Sequence, residues 1–349
     1  MKQILLQFDP KIPHLGGKKF RDGLSCVISI ADTLWLSCDE SISVERLSKI
    51  SDGVFAEHTH FKITDFFHLP VDEEKEIDIE GMDFDGDFLW IVGSHSLKRK
   101  KPKPNQPIDK QLSQLSRVEI DENRYFFGKI PVEFDEKGLP FLVNKKLKNN
   151  FELKPALMKM KNGSNQLMKL LRKDEHFCDF LTIPGKDNGF DIEGLSVHKN
   201  KLYIGLRGPV LRGWACVLEL NFNEANGYLE LDEDKPYFKH FLKLDGMGIR
   251  EMCFKGDDLY ILAGPTMDLD GTISVFSWST PLTAQEDTVN FRESLNKIMD
   301  IPHGYGEDSG KDKAEGMCYY ENQLLVAYDS PKNSRLIGEY DVMVDLFKI

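Results

Sequence analysis

Five stretches of this chain repeat one design: an apolar run, a polar turn of two to four residues, and a second apolar run. They read LSCVISIADTLWLS at 24–37, IEGMDFDGDFLWIV at 79–92, IEGLSVHKNKLYIG at 192–205, IREMCFKGDDLYIL at 249–262 and AEGMCYYENQLLVA at 314–327. Each is the pattern of a hairpin of short strands. Their second positions, Ser25, Glu80, Glu193, Arg250 and Glu315, follow at steps of 55, 113, 57 and 65 residues, so one unit is missing from the long step. Segments ending at Pro10, Pro70, Pro131, Pro184, Asp245 and Pro302 give a second marker at steps of 53 to 61 residues. Counting EKGLPFL at 136–142 as a worn copy makes six units.

Units of this length cannot bury their sheet faces alone and close radially. The chain therefore reads as all-β and as one domain over 1–349, a six-bladed β-propeller. The strand at 4–10 completes the last blade beside the C-terminal RLIGEYDVMVDLFKI. Five blades plus an insertion is the alternative. A short helical insertion is expected near 164–175, with Ser164 as N-cap and Leu167, Leu170 and Leu171 at helical spacing.

The net charge of −12 argues against nucleic acid as a partner, because a phosphate backbone favours a basic footprint. No run approaches the roughly 18 apolar residues of a spanning helix, so no membrane partner is expected. MKQILLQFDPK is too short for a secretory signal, and the expected location is cytoplasmic. The six cysteines form no Cys-x-x-Cys pair, which leaves no expected disulfide or structural zinc.

In a propeller, the starts of the inner strands and the loops after the hairpins meet at one mouth of the channel. With Lys137 counted for the worn copy, the second positions alternate in charge at five of the six places, Ser25 being neutral. Glu80, Glu193 and Glu315 would repel one another at a narrow axis. They read either as a catalytic or metal-binding cluster for a divalent cation, calcium or magnesium, or as members of a salt-bridge ring with Lys137 and Arg250. Nearby loops bring Ser94, His95, Lys98, Lys186, Arg207, Arg212 and Lys313 to the same mouth, and with Arg250 these are the candidate anion ligands. Asp39, Glu40, Asp268, Asp270 and Asp329 follow the remaining hairpins and offer oxygen ligands or plain turn residues. His58 and His60 share one face of an outer strand and read as surface residues.

The phrases DIEGMDFDGDFLWIVGSHSLKRKKPKP, GKDNGFDIEGLSVHKNKLYIGLRGPVLRGWACVLEL, GIREMCF and KAEGM resemble those of the bacterial family catalogued as domain of unknown function 3616. The resemblance extends over most of the chain and brings no activity with it. A looser similarity is to propellers with esterase-like or phytase-like activity, which implies a cation at the channel mouth; Lys137 and Arg250 stand where such a site prefers oxygen. Two functions follow as expectations. One is binding of an anionic, phosphorylated small molecule with metal-assisted ester or phosphoester hydrolysis. The other is a non-catalytic scaffold for an anionic partner.

Overall fold

The computed structural model describes residues 2–12, 14, 17–38, 41–71, 75–199, 201–225, 227–279 and 285–349. All five repeats form the expected hairpins. Their first strands, Leu24–Ile30, Ile79–Phe84, Asp191–His198, Gly248–Lys255 and Lys313–Tyr320, pair antiparallel with Thr33–Cys38, Phe88–Gly93, Lys201–Gly208, Asp258–Gly264 and Gln323–Asp329. The first strands also pack side by side in that order, the fifth against the first, so they line a closed ring. Each hairpin extends outward through a third and a fourth strand into a radial sheet. The protein is an all-β propeller of five sheets.

Closure is between the termini, as the sequence implied. Lys2–Leu6 lies antiparallel to Asp341–Lys348, from Lys2 opposite Leu346 to Leu6 opposite Val342, and completes the fifth sheet. It also pairs in parallel with Val54 and Phe55, the outermost strand of the first sheet, which stitches the two sheets together.

The count of six requires correction. Within 136–142 only Pro140–Leu142 is extended, and it folds back on Val132–Phe134 as an outer hairpin. Asp135 closes that turn by accepting from the backbone N–H of Lys137 and Leu139, and Lys137 is exposed on it. The segment lacks a second apolar run, so it has nothing to bury toward the axis and decorates the second sheet instead.

Among the described residues two α-helices interrupt the sheets: α1 at Ile108–Ser116 and α2 at Gln166–Leu171. The α2 helix is the expected insertion, with Leu167, Met168 and Leu171 buried between the second and third sheets. Its cap is Asn165 rather than Ser164: Asn165 Oδ1 accepts from Met168 N at 2.9 Å. Apolar layers fill the space between successive sheets, with Trp35, Phe127, Tyr203, Trp278 and Tyr328 fully enclosed. Burial of such a side chain contributes roughly 1.5–3 kcal/mol. All six cysteines are free thiols.

Candidate functional site at the mouth of the ring

The repeated second position has a geometric cause. In every inner strand the ladder skips one residue, between Leu24 and Cys26, Ile79 and Gly81, Ile192 and Gly194, Ile249 and Glu251, and Ala314 and Gly316. The skipped residues are Ser25, Glu80, Glu193, Arg250 and Glu315. A bulge leaves its extra residue unpaired and re-aims the side chain, so the ring presents five bulged residues at one end. The glycine after the glutamate serves another need. A Cβ on Gly81 would lie 2.7 Å from Leu195 Cβ, and one on Gly316 would lie 3.0 Å from Val27 N, because neighbouring inner strands approach too closely there. Gly81→Ala is expected to cost about 1–3 kcal/mol by overpacking, read as a lower urea midpoint at unchanged m.

The bulged side chains form a buried ionic chain. Arg207 Nη1 donates to Glu193 Oε1 at 2.5 Å and lies 3.7 Å from Asp191 Oδ2. Arg250 Nη1 donates to Glu315 Oε1 at 2.5 Å and lies 3.7 Å from Glu193 Oε2. The order Asp191, Arg207, Glu193, Arg250, Glu315 alternates in sign. Burial, then the neighbouring Glu193, pushes Asp191 up to about 7. Burial, then Glu315, pushes Asp329 up to about 6. Glu193 Oε2, Arg207 Nε and Arg250 Nε are buried with no hydrogen-bond partner among the described residues. Ser25 closes the ring by donating to the Ile79 carbonyl at 2.9 Å.

Above this chain lies a cavity of about 390 Å³ whose walls include Glu80, Lys98, Arg99, Lys186, Asp191 and Arg207. Lys98 Nζ contacts Glu76 at 2.7 Å. Arg124 Nη2 contacts Glu76 at 3.1 Å and Asp78 at 3.0 Å. A second cavity of about 450 Å³ shares Lys186 and is lined by His14, Lys18, Asp22 and Asp329.

Of the candidate anion ligands, Lys98, Lys186 and Arg207 line the first cavity, with Glu80 beside them. Glu193, Arg250 and Glu315 line neither of the two, and Glu193 backs on Arg207. Lys313 is turned to Asp268 at 2.7 Å and holds that carboxyl well below its usual range. Three candidates lie elsewhere. Arg212 is exposed on a tight turn. Ser94 is buried and accepts from Ser96 Oγ at 3.1 Å. His95 is buried too: its Nδ1–H donates to the Gly93 carbonyl and its Nε2 accepts from Asn165, both at 2.8 Å, and burial lowers it to about 4. It is a neutral strut that holds α2, because the Asn165 capping the helix is the residue it bonds.

Other assignments need correction as well. His58 is buried, and its Nε2 meets Glu45 at 2.7 Å while His60 Nδ1 meets the same carboxylate at 2.9 Å. Against the opposing effect of burial, these two bonds hold Glu45 below its usual range. The pair is an internal clamp between outer strands, not a surface feature. Asp270 accepts from Ser309 Oγ and Gly310 N, as a turn residue does. Asp39 and Glu40 lie outside the described residues.

Sequence reasoning missed Asp78, Asp191 and Arg124. The two aspartates had a signal, since both repeats spell Asp-Ile-Glu-Gly. Arg124 had none, because it reaches the mouth from a loop between strands of the second sheet.

The donor set does not suit a divalent cation. Among the described residues no three His, Cys, Asp or Glu side chains come together as metal ligands. Guanidinium groups occupy the carboxylate oxygens of Glu193 and Glu315 that a cation would need.

Three solved structures are similar to this chain across nearly its whole length. A streptogramin B lyase matches at 10% identity and a TM-score of 0.31, covering 99% of this chain and 98% of its own. The PQQ-bound aldose sugar dehydrogenase from Streptomyces coelicolor matches at 9% identity and 0.38, with coverage of 99% and 98%. The β-propeller domain of Myceliophteria thermophila Cps50 (Swd1) matches at 10% identity and 0.32, with coverage of 95% and 99%. No curated protein matches. A family model does match, over residues 23–345 and hence over all five hairpins and the bulged mouth, so the chain belongs to the family described as protein of unknown function DUF3616.

Proposed function

We propose that the mouth of the ring binds a small anionic ligand carrying a phosphate or a similar oxyanion. One observation carries this reading: seven basic and five acidic side chains line the 390 Å³ cavity, although the chain as a whole has a net charge of −12. A basic wall in an acidic protein focuses the field on an incoming anion. Lys98, Arg99 and Lys186 form its outer part, and Arg207 offers a guanidinium edge from below, a group suited to planar oxyanions.

Titration calorimetry with inorganic pyrophosphate tests the reading. Lys98→Gln combined with Lys186→Gln is expected to weaken binding at least tenfold while the melting temperature stays within a few degrees. A change below twofold would remove the cavity from the site.

A second reading, hydrolysis of an ester or phosphoester at the same place, is favoured by Asp191. A carboxyl raised to about 7 inside a ligand-sized cavity is poised to act as general acid or base near neutral pH. Turnover of an ester and phosphoester panel, lost in Asp191→Asn with pyrophosphate binding retained, is the expected result. Binding without turnover in the parent chain would favour the scaffold function for an anionic partner.

A further inference from the structure

The α1 helix is inside out. Its half-buried positions are Gln111 and Gln114, while Ile108, Leu112 and Leu115 are 72%, 61% and 51% exposed. These three fall at i, i+4 and i+7 and so share one face. Val118 and Ile120, 39% and 67% exposed, continue the apolar surface beyond the helix. An apolar patch that faces outward on a helix marks a contact surface.

The surroundings identify its chemistry. Residues 98–117 carry seven basic side chains and one acidic one, Asp109. Lys103 and Arg117, before and after the helix, are exposed. The helix is also tied down at its base: Lys98–Arg99 pairs with Val118–Glu119, and Arg99 binds both Asp187 and the Leu115 carbonyl. A helix anchored in this way holds one apolar face outward between basic flanks at Lys103 and Arg117. A planar anionic interface, apolar below and negatively charged at its surface, is the complement of that shape.

We propose that α1 and its basic flanks dock the protein onto the surface of an anionic phospholipid bilayer, with Ile108, Leu112 and Leu115 entering the headgroup–acyl boundary. No helix among the described residues is long and apolar enough to cross a membrane; surface docking needs no spanning segment, and it revises the expectation that no membrane is involved. Four of the basic residues, Lys98 to Lys101, also line the anion cavity, but the five side chains changed in the test lie outside it.

The test is co-sedimentation of the full chain with vesicles of phosphatidylcholine alone and of phosphatidylcholine mixed with phosphatidylserine. Partition onto the mixed vesicles only, weakening as salt rises, is the expected result. Ile108→Ser, Leu112→Ser and Leu115→Ser together should weaken it at least tenfold, and Lys103→Gln with Arg117→Gln should weaken it severalfold. Since all five residues are exposed, thermal melts should match the parent. A Leu112→Trp variant should show a blue-shifted emission on the mixed vesicles. The proposal is overturned by absence of partition, by partition that the apolar variant leaves unchanged, or by a dimer in sedimentation velocity that the same variant abolishes, which would make a second copy the occupant.

Discussion

Replacing Arg207 by alanine is expected to lower folding stability by about 3–5 kcal/mol, the cost of removing one partner from a buried ion pair. Arg207 is 4% exposed and contacts Glu193 at 2.5 Å and Asp191 at 3.7 Å. Its loss would leave both carboxyls buried without their nearest cation. Asp191 can respond by keeping its proton, but Glu193 is then left with Arg250, at 3.7 Å, among the described residues. The measurement is urea unfolding at pH 7. A companion variant separates charge from packing: Arg207→Met with Glu193→Leu should recover most of the loss, because an apolar replacement of the whole pair is close to neutral. The double-mutant cycle then yields the coupling between the two side chains. A loss under about 1 kcal/mol for Arg207→Ala would place the pair in the regime of exposed, well-solvated charges. Reduced ligand binding in Arg207→Ala alone cannot be read as a lost ligand contact while the scaffold beneath it is disturbed.

The sequence carried the ring because its signal is local. An apolar run, a turn and a second apolar run specify a hairpin wherever they occur, and five such hairpins with a marked second residue revealed both the propeller and the residues at its mouth. The same logic failed at 136–142, where a turn through Lys137 and Gly138 and three extended residues imitate half a hairpin, and the missing second run was the warning. What could not be read were side-chain contacts between segments that carry no repeat marker. Glu45 meets His58 and His60 across adjacent outer strands, and Asn165 meets His95 across 70 residues of chain. No spacing rule links such pairs.

The glycine positions were legible but only half understood. Gly81, Gly194 and Gly316 occupy the place that Cys26 and Glu251 take in the other two inner strands. Glu251 is 1% exposed, its Oε1 accepts from Met252 N at 2.9 Å, and burial drives its carboxyl well above the usual value. Three glycines therefore accompany one enclosed acid and one enclosed thiol along the inner wall. Departures from the repeat mark where the ring is asymmetric, and a hunt for matching residues passes over them.

Anion binding at the mouth is expected to weaken by about tenfold or more between pH 5 and pH 8, since one linked proton changes affinity by up to tenfold per pH unit. Asp191 is raised to about 7 and Asp329 to about 6. Both are neutral at pH 5 and both are ionised at pH 8, so two negative charges appear at the mouth across this window. Sulfate is the suitable probe because its own charge is constant there, and calorimetry at each pH gives the affinity. Stability should follow the same sign. A group whose folded value is raised contributes stability that is fully present below its unfolded value and is lost as pH rises through the folded one. The melting temperature should therefore fall from pH 5 to pH 8. Asp83, raised to about 6 by burial, adds to that thermal trend and His95, lowered to about 4, opposes it; neither lines a mouth cavity, so melting alone does not single out the mouth. Sulfate affinity does. Asp191→Asn should flatten most of its pH dependence, and an affinity that stays level from pH 5 to pH 8 in the parent chain would disconnect these carboxyls from the anion.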